Sequence, residues 1–103
     1  MTIHTYTATA SIGNAYQSNG NTAITFMSFC NYSGASTATV NVYVVPSSGS
    51  YSTNNQIYSN LELTPNDTYQ LYLGGEKLIL GNGDTVQVSS TVAISVVTSY
   101  TSI

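Results

Sequence analysis

Apolar residues recur at every second position along most of this chain, and Gly, Pro, Asn, Asp and Ser fill the places where the alternation stops. A period of two marks a strand with one face buried, so the chain reads as a series of short β-strands joined by turns. The clearest instance lies in the second half. Leu78 and Leu80 lead into Gly81-Asn82-Gly83-Asp84, and Val86 and Val88, then Val92, Ile94 and Val96, follow at alternate positions. Asn82 and Gly83 both tolerate positive φ, which a tight turn of the primed type requires. The stretch is therefore expected to form a hairpin whose register is set locally.

Taken in order, residues 2 to 12 alternate Thr5, Thr7 and Thr9 with Tyr6, Ala8 and Ala10, which predicts a first strand with a hydroxyl-rich face, placed at an edge or an intersubunit seam. Gly13 to Asn21 reads as a loop that presents Tyr16. Residues 22 to 30 put Ile24 and Phe26 on one face and Met27 and Phe29 on the other, so either a bulge sits near Met27 or both faces are covered. After a turn at 31 to 36, Val40, Val42 and Val44 define an interior strand that Pro46 ends by removing a ladder donor. A polar loop follows to Gln56, with Tyr51 exposed at its middle.

Ile57, Leu61 and Leu63 return the chain to the core. Pro65-Asn66-Asp67 then supplies a turn, and residues 68 to 73 a strand with Tyr69, Leu71 and Leu73 on one side. Gly74-Gly75 breaks that strand, and the last one ends near Tyr100. Seven to eight short strands with no amphipathic helix predict a single all-β domain over residues 1 to 103, an antiparallel β-sandwich. No period of 20 to 50 residues is present, which excludes solenoids and propellers.

Charge changes what the outside of this sandwich can bind. Among 103 residues only Glu62, Asp67, Glu76, Lys77 and Asp84 carry formal charge, for a net charge of −3. Without Arg and with one Lys the chain has no means of neutralising phosphates, so nucleic acid and anionic membrane are not expected partners. The surface falls to Ser, Thr, Asn, Gln and nine Tyr. Tyr combines apolar area with a polar tip and few torsions to freeze, which suits protein contact. Tyr16, Tyr32 and Tyr51, the aromatics on loops, are the candidate contact residues.

Candidate chemistry is sparse. Cys30 is the only thiol and His4 the only imidazole, so there is neither an intrachain disulfide nor a thiolate zinc site, and Cys30 at the end of an apolar strand reads as a small hydrophobe. A Ser-His-Asp arrangement lacks a GxSxG elbow, and the only His lies near the terminus. The four carboxylates, with turn carbonyls, would suit calcium chemically, but they show no EF-hand spacing, and Asp in a turn usually bonds its own backbone. Gly74-Gly75 is followed by no Walker lysine pattern. No catalytic residue, metal or cofactor is expected, and the chain is not expected to be an enzyme. There is no basic and apolar leader at the N-terminus and no stretch long enough to span a bilayer, so synthesis in a cytoplasm is expected. The sequons at Asn31-Tyr32-Ser33 and Asn66-Asp67-Thr68 are then chance matches.

One resemblance adds to this reading. The segment GEKLILGNGDTVQVSSTVAISVVTSYTSI at 75 to 103, preceded by LTPNDTYQL at 63 to 71, resembles the C-terminal half of small virion proteins of tailed bacteriophages. Those chains end in a Lys-Leu-apolar-Leu strand, a Gly-Asp turn and a final strand of small and apolar residues. The resemblance implies an immunoglobulin-like sandwich and a structural role in the virion: capsid decoration or cement, or a small part of the tail. It implies as partners the capsid or tail protein of the same particle and further copies of the chain. A fibre or adaptor component is the neighbouring expectation. A carbohydrate-binding or adhesin-like sandwich using exposed Tyr faces is the expectation from a different class, weakened by the absence of Trp.

Overall fold

Val, Ile, Thr and Tyr fill the regular segments of the computed structural model, which describes residues 2–72 and 78–103. These segments are β1 (Thr2–Ala8), β2 (Gly13–Gln17), β3 (Thr22–Cys30), β4 (Ala38–Val45), β5 (Gln56–Leu63), β6 (Thr68–Tyr72), β7 (Leu78–Leu80), β8 (Thr85–Ser90) and β9 (Ile94–Ser102). One 3₁₀ turn, Thr53–Asn55, precedes β5, capped by Ser52 and Asn55 across a capping box. The predicted place of Leu73 on one side with Tyr69 and Leu71, and the predicted break at Gly74-Gly75, lie outside the described residues.

The strands form two antiparallel sheets, β1-β9-β3-β6 and β2-β8-β4-β5, packed face to face. β7 continues the edge occupied by β6: Phe26 to Cys30 of β3 pair with β6, and Thr22 to Ile24 pair with β7. The antiparallel sandwich is thus the observed architecture. Its strand order, however, is that of a jelly roll. An immunoglobulin sandwich keeps its last strand beside its predecessor in one sheet, whereas here β9 lies between β1 and β3, in the sheet opposite β8.

That order corrects the expected hairpin at Gly81–Asp84. β7 bonds to β3 while β8 bonds to β2 and β4, so the turn crosses from one sheet to the other. The backbone shows why. The Asp84 N–H donates to the Gly81 carbonyl at 3.1 Å, and only Gly83 has positive φ, at 86°, which is the pattern of a type II turn. Such a turn does not follow the twist of paired strands and splays them apart. The Asp84 carboxylate fixes it by accepting from Gly81 N–H at 2.9 Å and Ser47 N–H at 2.8 Å. β4 and β5 are the one pair of successive strands that bond to each other among the described residues.

Bulges decide which side chains reach the core. The β3–β9 register shifts between Ile24 and Phe26, so Ile24, Met27 and Phe29 all point inward and all are fully buried. Of the two expectations near Met27, the bulge is the observed one. In β5 the register shifts near Asn60, whose φ is 54°, and Tyr58 turns inward opposite Val42 while Ile57 stays 44% exposed. The predicted inward position of Ile57 is therefore replaced by Tyr58. Val40 and Val42 of β4, Val86 and Val88 of β8, and Ile94 and Val96 of β9 complete one continuous core.

β2 also departs from expectation. Gly13 to Gln17 was predicted as loop, but a bulge between Asn14 and Tyr16 lets Ala15 and Tyr16 both bury, which erases the alternation that would announce a strand. At Gly13 the Tyr6 hydroxyl occupies the place where a Cβ would project.

Asn31 ties the far end together. It is fully buried, and its Nδ2 donates to the carbonyls of Ser36 at 2.8 Å and Leu63 at 2.9 Å, with Thr64 at 3.3 Å, while its Oδ1 accepts from Ser33 N–H at 3.1 Å. The sequon asparagine is thus a structural residue. One buried polar atom lacks this kind of satisfaction: Thr98 Oγ1, on the inner face of β9, has no hydrogen-bond partner among the described residues. Thr98→Val keeps the shape and removes a desolvated hydroxyl, so it is expected to stabilise by about 1 kcal/mol. Thermal melting checks this, with a rise in Tm of roughly 4–8 °C expected.

Candidate functional site

The N-terminal half of β1 pairs with the end of β9, and the end of β9 pairs with the start of β3, so one end of the sandwich gathers residues from both extremes of the chain. A cleft of about 420 Å³ opens there. Its floor is aromatic. The Tyr16 and Tyr100 rings lie 4.7 Å apart, tilted by 42°, and His4 meets Tyr16 edge-on at 5.8 Å. Its rim is made of Asn14, Gln17, Asn19, Thr22 and Ser102, all uncharged.

Hydrogen bonds hold the rim loop in place. Ser18 N–H donates to the Asp84 carbonyl and Gly83 N–H to the Ser18 carbonyl, both at 2.9 Å. Ser18 Oγ donates to the Gly20 carbonyl at 2.7 Å and lies 2.8 Å from Thr22 Oγ1. Gly20, at φ 75°, gives its N–H to Asn82 Oδ1 at 2.8 Å, and Ile103 N–H reaches the Asn21 carbonyl at 3.0 Å. A smaller cavity of about 350 Å³, against Ser18, Asn82 and Gly83, adjoins the cleft through Gln17 and Asn19.

The three predicted contact tyrosines have different fates. Tyr16 is a strand residue, 4% exposed, so its expected place on a loop is corrected: its ring supports the cleft instead of projecting from the surface. Tyr32 and Tyr51 are exposed at 56% and 50%, and Tyr51 leans on Tyr43 at 5.3 Å. The structure does not bring the three together: Tyr16 lies on β2, Tyr32 in the β3–β4 connection and Tyr51 in the β4–β5 connection. Nothing local in the sequence marks His4 and Tyr100 as partners of Tyr16. Their meeting depends on the pairing of the first strand with the last, which no local pattern encodes.

A second aromatic group closes the β5–β6 flank. Tyr58 and Tyr69 meet edge-on at 5.3 Å with their hydroxyls 3.3 Å apart. Burial, then the hydrogen bond to Tyr69 and the charge that Tyr69 acquires, push the Tyr58 phenol from 10.0 up to about 12. The fold favours the neutral phenol, so this contribution to stability is complete below pH 10 and is lost as pH rises through about 12. Ultraviolet titration is expected to show one tyrosine ionising late, and Tyr69→Phe to bring it earlier.

The remaining chemistry-bearing residues are dispersed. His4 faces inward on β1 opposite Thr98, while Cys30 faces outward on β3 opposite Ser95, so the two lie on opposite faces of one sheet. Asp67, in the turn before β6, lies beside the end of β3, where its carbonyl accepts Asn31 N–H, and Asp84 is anchored to Ser18 just before β3 begins. The nine residues of β3 separate the two acids by roughly 25 Å. No group of three His, Cys, Asp or Glu among the described residues converges on one point.

The outer face of the β1-β9-β3-β6/β7 sheet has a different character. Ile3, Thr5 and Thr7 of β1, Ser95, Val97, Ser99 and Thr101 of β9, Ser28 of β3 and Ile79 of β7 face outward by register. No strand of this sheet carries Asp, Glu, Lys or Arg among the described residues. Ile3 and Ile79 are 67% and 60% exposed at its two sides. The edges differ as well. β2 and β5 are bulged and the β6/β7 edge is divided, but β1 pairs with β9 over seven consecutive residues without a bulge, Pro or charge. Comparison of the chain with protein-family models, with curated proteins and with solved structures returned no match.

Proposed function

We propose that this chain is a non-enzymatic structural protein of a bacteriophage virion, one that decorates or cements the capsid by contacts among its own copies and with the coat. The observation that carries the reading is the uncharged outer face of the β1-β9-β3-β6/β7 sheet, ending in the unguarded edge of β1. Natural sheets protect their edges with charge, Pro, bulges or cover, because a bare edge pairs with another chain. The cores of protein interfaces are likewise depleted of charge. A face that combines both features is built to be covered.

The hydroxyls of Thr5, Thr7, Ser95 and Ser99 suit that use. They hydrogen-bond to a neighbour yet cost little to expose before assembly, and Ile3 and Ile79 add apolar area at the margins. Repeated around a shell, even a modest interface adds stabilisation at each copy. The jelly-roll order is also common among capsid proteins, which supports the reading by analogy of fold. A tail, fibre or adaptor position would use the same face, and location in the particle distinguishes the two. Light scattering of the pure protein, with protein analysis of purified particles, tests the proposal. Oligomers in solution and many copies per particle are expected. A strict monomer absent from particles overturns it.

A further inference from the structure

We infer that the cleft between β1, β2 and the end of β9 is a binding site for a neutral sugar ring. This does not depend on the virion reading. Among the described residues no Asp, Glu, Lys or Arg lines the cleft, and His4 is its one imidazole, so an anionic or cationic ligand would leave water without gaining a permanent counter-charge. What it offers is the partly exposed ring of Tyr100, backed by the buried Tyr16 ring at 4.7 Å, under a rim of amides and hydroxyls. A pyranose matches both: its C–H face packs on an aromatic ring, and its hydroxyls both donate and accept, as do the Asn14, Gln17 and Asn19 amides.

Size and rigidity agree. About 420 Å³ lies within the range of small-molecule sites. Tyr16 is held by the core at 4% exposure, and Asn19 sits in a loop pinned on both sides through Ser18 and Gly20. A polar rim already fixed in place avoids much of the ordering cost that usually weakens binding to hydroxyl-rich ligands. The exposed Tyr51 beside Tyr43 provides an aromatic surface outside this cleft, which makes it the natural control.

The test is nuclear magnetic resonance titration of the full chain with the methyl glycosides of glucose, galactose, mannose and N-acetylglucosamine. Gluconate and glucosamine serve as charged probes, and a linear trisaccharide of the best binder separates a terminal unit from an internal one. At least one neutral glycoside is expected to bind with Kd on the order of 1 mM, shifting the signals of Gln17, Asn19 and Tyr100. Asn19→Ala and Tyr100→Ala are expected to weaken it at least 10-fold, and Tyr51→Ala to leave it unchanged. Asn19 is exposed, so its replacement leaves the core intact should Tyr100→Ala fail to fold. The inference is overturned if no neutral sugar moves these signals, if the shifts map to Tyr43 and Tyr51, or if a charged probe binds more tightly.

Discussion

Asn31→Ala is expected to be among the most damaging single substitutions, costing about 3 kcal/mol and lowering Tm by roughly 10–20 °C. The residue is fully buried, and its amide bonds to carbonyls from two separate turns, Ser36 before β4 and Leu63 at the end of β5. Its backbone N–H also reaches the Asp67 carbonyl at 2.9 Å, which brings in the turn before β6. Alanine leaves the backbone bond in place but removes every side-chain bond. Several carbonyls and the Ser33 N–H are then left in a space that water does not fill well, and an unsatisfied buried group costs more than a formed bond gains. For a domain whose total stability is expected near 5–15 kcal/mol, that is a large share. Chemical denaturation checks it. A cost under about 1 kcal/mol would mean that the three turns hold without their common tie.

The second large effect concerns assembly. Ile3→Lys together with Thr5→Lys, both on the outward side of β1, is expected to weaken self-association about 100-fold, corresponding to roughly 3 kcal/mol. A lysine buried in such a seam loses its hydration, and among the described residues no strand of this sheet carries an acid to pair with it. The folded chain itself should hardly notice, since surface substitutions are usually within about 0.5 kcal/mol of neutral. Sedimentation over a range of concentrations separates the two quantities. If the double variant assembles like the parent, β1 is not the seam.

How far the sequence specified all this differs from element to element. The strands with clean alternation were legible, because residues such as Val40, Val42, Val86, Val88, Ile94 and Val96 report their burial directly through a period of two. The edge position of the first strand was legible too, from its small and hydroxyl-bearing residues. β2 was not, since its bulge buries neighbours Ala15 and Tyr16 and removes the pattern. Asn82-Gly83 pointed to a hairpin because the same dipeptide serves a primed turn and a type II turn. Which one forms depends on whether Ser47 and Ser18 are present to bond Asp84 and Gly83, and that is a tertiary fact.

The cleft was least legible of all. Its floor joins His4, Tyr16 and Tyr100, and only the jelly-roll order, with the last strand inserted between the first and the third, brings them together. The Gly, Asn and Ser around Tyr16 point to an exposed loop aromatic, whereas the residue is a buried one on β2. The signal that would have helped is the conflict within that segment: an aromatic flanked by turn formers, as a buried bulged strand also requires.

Cryo-imaging of the virion at a resolution that distinguishes strands tests the central claim most directly. Repeated copies of the jelly roll are expected on the particle, with the β1-β9-β3-β6/β7 face and the β1 edge against neighbouring copies or coat, and the β2-β8-β4-β5 face toward solvent. Particles without the chain, or copies attached through the Tyr32 and Tyr51 loops with the uncharged face left open to water, would contradict it.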